Sequence, residues 1–194
     1  GRPLDRPEFQ PIFDRMAARG LPIWLHPTRS PTVPDYVDEP RSRYDLWWAF
    51  GWPYETSLAM GRLVFSGLFD RHPGITIITH HMGAMVPFCA GRLGPGLDQL
   101  GTRTDDPDDA AALGRLARRP LDYFRLFYGD TALFGAWHAM ESALAFFGVD
   151  RILFAVDWSF VMNAPGVTWM ETVPLCDADK AKILSGNAKR LLKL

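Results

Sequence analysis

The sequence predicts an α/β protein in which helices cover both faces of a parallel sheet. Short apolar runs rich in β-branched residues recur along the chain, and segments with helical spacing lie between them. Each of the four strand-like runs ends in a histidine or an aspartate. Because functional groups of parallel α/β folds gather at the carboxyl ends of strands, these polar ends indicate one site.

The first half of the chain contains two strand–helix units. Apolar residues at helical spacing over residues 6–20 predict a helix that stops at Gly20. The run "LPIWLHP" predicts a buried strand closed by Pro27. Residues 28–45 are rich in Pro, Asp, Arg and Ser and predict a long loop. A helix is expected over residues 53–69, and "ITIITH" predicts the next strand.

The second half contains two more units. "MVPFCAGRL" predicts a helix, and the polar stretch "GTRTDDPDDA" predicts a solvated loop. "LFYGDT" and "RILFAVDW" predict strands on either side of a helix over "AWHAMESALAFFG". The tail "DADKAKILSGNAKRLLKL" is helical, with Asp177 or Asp179 as its N-terminal cap and a kink at Gly186.

The composition is that of a soluble globular domain of 194 residues, 47% hydrophobic and 22% charged. A net charge of −1 gives no reason to expect nucleic acid or a membrane surface as a partner. Cys89 and Cys176 have no CxxC spacing, so we expect neither a disulfide framework nor a thiolate metal site, and a cytoplasmic setting is the default. The start without Met indicates a part of a larger or processed protein.

The predicted strands end in side chains that bind metals or exchange protons: His26, His80 with His81, Asp130 and Asp157. Taken singly, a histidine at a strand end is more often a hydrogen-bonded structural residue than a ligand. An aspartate in a turn commonly caps a backbone N–H, and we interpret Asp130 in that way. Taken together, imidazoles and a carboxylate form an ordinary ligand set for Zn²⁺ or Mn²⁺.

Only one of the two adjacent histidines can face the site if the strand continues through them. We expect that residue to be His81, because Gly83 lets the chain turn away and leaves the ring uncovered. His80 would then pack sideways or support a neighbour. His72, in a loop before a strand, and His138, in a helix, are expected to lie outside the site.

Four segments resemble the amidohydrolase-related metal enzymes: "LPIWLHPTR", "WPYETSLAMGRLVFSGLFDRHPGITIITHHMGAMVPFCAGRL", "RILFAVDWSF" and "GNAKRLL". They are most similar to the branch of aminocarboxymuconate semialdehyde, γ-resorcylate and 5-carboxyvanillate decarboxylases. The resemblance covers nearly the whole chain. It implies the C-terminal portion, about strands 5–8, of a metal-dependent (β/α)₈ TIM barrel that holds one divalent metal, zinc or manganese.

The resemblance also implies roles for individual residues. His26 matches a metal ligand, Asp157 a ligand that also shuttles protons, and His81 a histidine that acts on water or substrate. Arg92 matches an arginine that in some relatives meets a substrate carboxylate across a subunit contact, so we expect a homodimer. From the residues themselves, Arg29 can hold a carboxylate through two guanidinium nitrogens, and Trp158 can wall a flat pocket together with other aromatic side chains.

One departure from the family pattern bears on activity. The relatives supply two further ligands from a His-x-His or Glu-x-His motif on the first strand, and this chain has no such motif. A full barrel needs about 250 residues, so we interpret residues 1–194 as a single amidohydrolase-related domain that lacks its N-terminal strands. Catalytic zinc usually has three protein ligands, whereas His26 and Asp157 alone provide two.

These observations favour a metal-dependent, non-oxidative decarboxylase that acts on an aromatic or unsaturated carboxylic acid. A hydrolase of an amide, ester or lactone on the same fold needs nearly the same ligands, and release of CO₂ rather than of a product acid separates the two. A third hypothesis is an inactive partial barrel that needs a partner chain, because open sheet edges favour association.

Overall fold

The computed structural model describes residues 2–133, 135–160 and 162–194. Its centre is a sheet of four parallel strands in the order β1-β2-β3-β4, which is also their order along the chain. The strands are short: β1 Ile23–Leu25, β2 Ile77–Thr79, β3 Tyr128–Asp130 and β4 Ile152–Leu153. The predicted parallel α/β architecture is confirmed.

Helices connect and flank the strands. They are α1 Gln10–Arg19, α2 Leu46–Ala49, α3 Gly51–Phe65, α4 Leu68–Arg71, α5 Ala90–Leu97, α6 Pro107–Gly114, α7 Pro120–Phe124, α8 Trp137–Phe147, α9 Asn163–Thr172, α10 Asp177–Ala181 and α11 Asn187–Leu192. Within the described ranges, no helix has both the length and the apolar character needed to cross a bilayer.

The core lies between the sheet and these helices. It is built from side chains with no solvent exposure, which belong to α3, β2, α8, β4 and the tail: Met60, Leu63, Ile77, Met140, Ile152 and Ile183. Side chains of this size stabilise a fold by roughly 1.5–3 kcal/mol each when buried. The packing fixes the strands relative to one another and therefore fixes where their ends lie.

Two helix predictions and one loop prediction differ from the structure. The helix expected over residues 53–69 is two helices, because Gly67 adopts a positive φ of 72° between α3 and α4. The helix expected over residues 85–93 begins only at Ala90, after a series of turns. The stretch 101–110 was expected to be a loop, but it contains the start of α6.

The start of α6 has a local physical cause. The Asp106 carboxylate accepts a hydrogen bond from the backbone N–H of Asp108 at 2.9 Å, which satisfies one of the unpaired donors of the first turn. In the tail, the cap position is Cys176, so Asp177 and Asp179 lie in the first turn of α10 instead of capping it. The expected irregularity at Gly186 is present as a π-helical turn that ends at that residue.

Strand β1 forms one edge of the sheet. It pairs only with β2 among the described residues, and the indole of Trp24 is 51% exposed while Leu25 is buried. The prediction of a fully buried strand is therefore wrong for Trp24. A strand in the interior of a closed barrel would have a second neighbour, so the exposure follows from the open edge.

The turn after β2 contains strained backbone. His81, Met82 and Ala84 have φ values of 56°, 57° and 55°, in the left-handed region that disfavours residues with a Cβ. Asp157, after β4, has a φ of 59°. Such strain persists only where surrounding contacts hold it, and it is common at functional sites.

Gly83 is the position in this turn where glycine is required. Its φ is +77°, and a Cβ there would lie 2.6 Å from Cζ of Phe147. We expect Gly83→Ala to lower the free energy of unfolding by about 2–4 kcal/mol, from left-handed strain together with overpacking. Urea denaturation measures this change. The control Gly91→Ala, in α5 with no atom near the added methyl, should be neutral or stabilising by up to about 1 kcal/mol. Equal stability of the two variants would contradict this account of the turn.

Candidate active site

The carboxyl ends of the strands converge on one cluster of ionisable side chains. His26 follows β1, His80 and His81 follow β2, and Asp157 lies four residues after the end of β4. One ligand atom from each of His26, His80 and Asp157 lies within 4.8 Å of the other two. The predicted convergence of His26 and Asp157 is confirmed.

His26 offers one free ring nitrogen to the cluster. Its Nδ1 lies 2.7 Å from the carbonyl oxygen of Pro27, so Nδ1 carries the proton that is donated there and Nε2 keeps its lone pair. The loop after His26 is anchored by Glu55 of α3, whose Oε2 accepts hydrogen bonds from the backbone N–H groups of Thr28 and Arg29. These contacts hold the chain that follows the histidine.

His80 is buried between two carboxylates. Its Nδ1 lies 2.5 Å from Oδ2 of Asp130, and its Nε2 lies 3.0 Å from Oδ1 of Asp157. The ring centroids of His80 and His26 are 4.8 Å apart. His80 therefore takes the place in the cluster that the sequence predicted for His81, and the expectation that His80 packs sideways or only supports a neighbour is wrong.

Asp130 has more contacts than the turn cap that the sequence suggested. Oδ1 accepts hydrogen bonds from the backbone N–H groups of His81 at 2.9 Å and of Ala132 at 3.1 Å. Oδ2 accepts from Nε1 of Trp24 at 2.9 Å in addition to its contact with His80. The interpretation as a cap holds for Ala132 and misses the other three contacts.

His81 also faces the cluster. Its Nε2 lies 3.8 Å from Oδ2 of Asp157, and its ring centroid lies 4.4 Å from that of His80. The expectation that only one of the two histidines can face the site is wrong, because the positive φ of His81 ends the alternation of an extended strand. Among the described residues, Nδ1 of His81 has no hydrogen-bond partner although it is buried.

The two histidines have opposite pKa shifts. Burial would lower the pKa of His80, but the carboxylates of Asp130 and Asp157 outweigh it and raise the pKa to about 8. Burial, followed by the charge of His80, lowers the pKa of His81 to about 4. At neutral pH, His80 is thus mostly an imidazolium and His81 is neutral and able to accept a proton.

The donor set fits a divalent cation. Two imidazoles and one carboxylate are the ligand types that zinc and manganese take in proteins. Donor atoms that share a tetrahedral ion at about 2.0–2.2 Å lie roughly 3–5 Å apart, as the atoms of His26, His80 and Asp157 do. Ligation by His80 requires Nε2 to lose its proton, so cation binding would release protons.

Aromatic side chains lie above His26. The ring of Trp52 is 5.3 Å from the His26 ring in an edge-on arrangement, and it also contacts Trp47 at 5.4 Å and Phe160 at 6.0 Å. Trp47 and Trp52 were not predicted as site residues, and the density of tryptophan in "WWAFGW", which contains three, was the available signal. Trp158, next to Asp157, is 70% exposed.

The remaining candidates lie outside the cluster of ligand atoms. Nη2 of Arg29 donates a hydrogen bond to the carbonyl of Pro34 at 3.0 Å, within the long loop. Arg92 is exposed on α5, beside an apolar groove of about 400 Å³. Their proposed roles towards a substrate remain predictions. His72 pairs with Asp14 at 2.8 Å, and the exposed residue His138 lies on α8; both are outside the site as expected.

The amidohydrolase family model matches residues 1–194. The chain belongs to the amidohydrolase family. This membership confirms the resemblance inferred from the quoted segments.

The proteins to which this chain is similar include decarboxylases. The chain is 33% identical, over 193 residues, to the γ-resorcylate decarboxylase of Polaromonas sp., covering 98% of the chain and 56% of that relative. Among solved structures, the 5-carboxyvanillate decarboxylase of Sphingomonas paucimobilis superposes with a TM-score of 0.82 at 30% identity, over 100% of the chain and 55% of that structure. The chain thus spans about half the length of these relatives.

A third comparison concerns a bound metal. The dihydroxybenzoic acid decarboxylase of Polaromonas sp., solved with manganese and the inhibitor 2-nitroresorcinol, superposes with a TM-score of 0.76 at 28% identity. It is matched over 99% of the chain and 55% of that structure. The half-length matches agree with the expected partial barrel.

Proposed function

We propose that the protein containing this chain is a metal-dependent, non-oxidative decarboxylase of an aromatic carboxylic acid. The observation that carries the proposal is the convergence of His26, His80 and Asp157, with His81 beside them. The γ-resorcylate and 5-carboxyvanillate decarboxylases among the relatives support the reaction class. The manganese in the Polaromonas structure supports the choice of cofactor.

In this proposal, His26, His80 and Asp157 hold one divalent cation, manganese or zinc. When bound, the cation supplies Lewis-acid chemistry that polarises a substrate oxygen or activates a water. The chain contributes the orientation of the ligands. The contact of His26 with Pro27 and that of His80 with Asp130 leave an Nε2 of each ring directed at the cluster.

We assign proton transfer to His81, with Asp157 as its neighbour. When the bond between the ring carbon and the carboxylate breaks, CO₂ leaves and the electron pair stays on that carbon. A protonated His81 donates its proton to that carbon and becomes neutral, and the ring then takes up one proton from the solvent, so that one proton is consumed for each CO₂ released. Because its pKa is lowered to about 4, the protonated form of His81 is a stronger acid than an ordinary imidazolium and gives up its proton readily.

Substrate binding involves groups around this centre. The Trp52 and Phe160 rings near His26 are suited to pack against a flat ring. Trp158 would wall the pocket on the side of Asp157, and Arg29 would pair with a carboxylate. Arg92 would reach the substrate of a second subunit, which requires a homodimer.

We also propose that residues 1–194 form one domain whose remaining barrel strands come from a preceding segment of the same protein. That segment would supply the His-x-His or Glu-x-His ligands. The unpaired cysteines support a cytoplasmic setting. No nucleic acid or membrane is required as a partner.

Loss of metal should abolish the reaction. We expect the full-length protein with Mn²⁺ to release CO₂ from a hydroxybenzoic acid such as γ-resorcylate, and to lose turnover by about 10³-fold or more after chelation, because the Lewis acid contributes several kcal/mol. Addition of Mn²⁺ or Zn²⁺ after chelation should restore it. The measurement is CO₂ release together with loss of the substrate absorbance. Formation of a product acid from an amide, ester or lactone, without CO₂ release from any carboxylic acid, would replace this proposal with the hydrolase.

A further inference from the structure

We propose that Asp130 is a positioning residue that fixes the tautomer of His80. In the neutral form of the ring, Oδ2 of Asp130 holds the proton on Nδ1 of His80, so that the lone pair of Nε2 is directed at the proposed cation. The consequence for metal binding rests on the proposed function, whereas the tautomer itself does not.

The first argument is the difference between the two contacts of His80. A neutral imidazole carries one proton, and the nitrogen with the stronger hydrogen bond to a carboxylate keeps it. The contact of Nδ1 with Asp130 is 2.5 Å, and that of Nε2 with Asp157 is 3.0 Å. Shorter charge-assisted hydrogen bonds are the stronger ones, so Nδ1 keeps the proton.

The second argument is that Asp130 is immobile. It is 0% exposed, and each oxygen accepts two hydrogen bonds. Its donors come from three places in the sheet: Trp24 on β1, His80 and His81 after β2, and Ala132 after β3. A carboxylate held in this way cannot rotate away from His80 without breaking several of these bonds.

The third argument concerns the turn after β2. One of these hydrogen bonds is donated by the backbone N–H of His81, the first residue with a left-handed backbone in that turn. Asp130 therefore places the backbone of His81 as well as the ring of His80. Carboxylate partners of this kind orient metal-binding histidines, and their loss typically lowers metal affinity about 10–100-fold.

Asp130→Asn tests the tautomer directly. The Asn oxygen can still accept from the N–H groups of His81 and Ala132, but its NH₂ group, in the place of Oδ2, donates to Nδ1 of His80. The proton of the neutral ring must then move to Nε2. The matched control is Asp122→Asn, which removes an exposed carboxylate on α7 that is paired only loosely with Arg125 at 3.6 Å.

The first measurement is the ¹⁵N chemical shifts of His80 in metal-free, histidine-labelled full-length protein at alkaline pH. We expect the proton on Nδ1 in the parent and in Asp122→Asn, and on Nε2 in Asp130→Asn. A parent that carries the proton on Nε2 would overturn the inference. The ¹⁵N measurement on the parent protein needs no variant, so it tests the proposed tautomer even if Asp130→Asn fails to fold.

The second measurement is Mn²⁺ affinity by titration. Asp130→Asn should weaken binding by about 10–100-fold, and Asp122→Asn by less than about twofold. In a His80→Ala background, Asp130→Asn should add less than about twofold, because Asp130 acts through His80. An equal effect of Asp130→Asn in both backgrounds would show a general structural role and overturn the inference. If the parent bound no Mn²⁺, the proposed function would fail while the tautomer measurement still stood.

Discussion

The His81→Ala variant of the full-length protein is expected to lose roughly 10²–10⁴-fold in turnover, the usual contribution of a general acid–base group. Its metal content should stay close to that of the parent. The reason is geometric: the ligand atoms that lie within 4.8 Å of one another come from His26, His80 and Asp157. Nε2 of His81 lies 3.8 Å from Oδ2 of Asp157, beside that group of ligand atoms and not among them.

His26→Ala should behave differently and lose metal and turnover together. Among the described residues, His26 is the one member of the cluster that follows β1, so its loss removes one of three ligand groups. His138→Ala, on the exposed side of α8, is the control and should change neither property. Elemental analysis beside steady-state kinetics measures both. A metal-free His81→Ala protein beside a fully loaded His26→Ala protein would mean that the two roles are reversed.

The sequence predicted the parts of the fold that depend on local patterns. Apolar runs gave all four strands, because a buried parallel strand needs apolar residues on both faces. The break between α3 and α4 was missed, since it depends on the backbone of Gly67, which helical spacing does not report. The exposure of Trp24 was missed because burial of a strand depends on which strands lie beside it.

The candidate site was predicted in its location but not in its connections. Strand ends of a parallel sheet meet at one edge, so the approach of His26 to Asp157 followed from the pattern. The contacts of Asp130 did not follow, because its donors come from three strands and one of them is an indole on β1. A buried carboxylate that gathers four donors is visible only in three dimensions.

The choice between His80 and His81 shows a different kind of limit. Alternation along a strand is a sound rule only while the backbone stays extended, and here it ends at His81 with a φ of 56°. Gly83 was the signal in the sequence that a turn follows. It did not reveal that residues with a Cβ adopt left-handed conformations before it, because those conformations are held by tertiary contacts such as the one from Asp130.

The 194-residue chain by itself is expected to bind Mn²⁺ weakly and to release CO₂ at least about 10²-fold more slowly than a longer form. The reason is that misplacement of catalytic or substrate-binding groups lowers the reaction rate steeply. The cluster offers three ligand atoms, and the His-x-His or Glu-x-His motif that the family resemblance implies is absent from this sequence. The sheet is also open at β1, where Trp24 is half exposed, so one wall that would exclude water and orient the substrate is absent among the described residues.

Extension of the chain with the preceding segment proposed above should restore both properties, provided that the segment places a His-x-His or Glu-x-His motif at a strand end. Metal stoichiometry and CO₂ release, measured side by side for the short and extended forms, test this expectation. The control is the extended form with both motif residues changed to alanine, which restores the missing wall without the ligands. This control should bind metal as weakly as the short chain, because a catalytic cation usually needs three or more well-placed protein ligands. His80 becomes such a ligand only after it loses a proton, which weakens the site further. A short chain with one tightly bound metal and the full turnover of the extended form would show that residues 1–194 already complete the site.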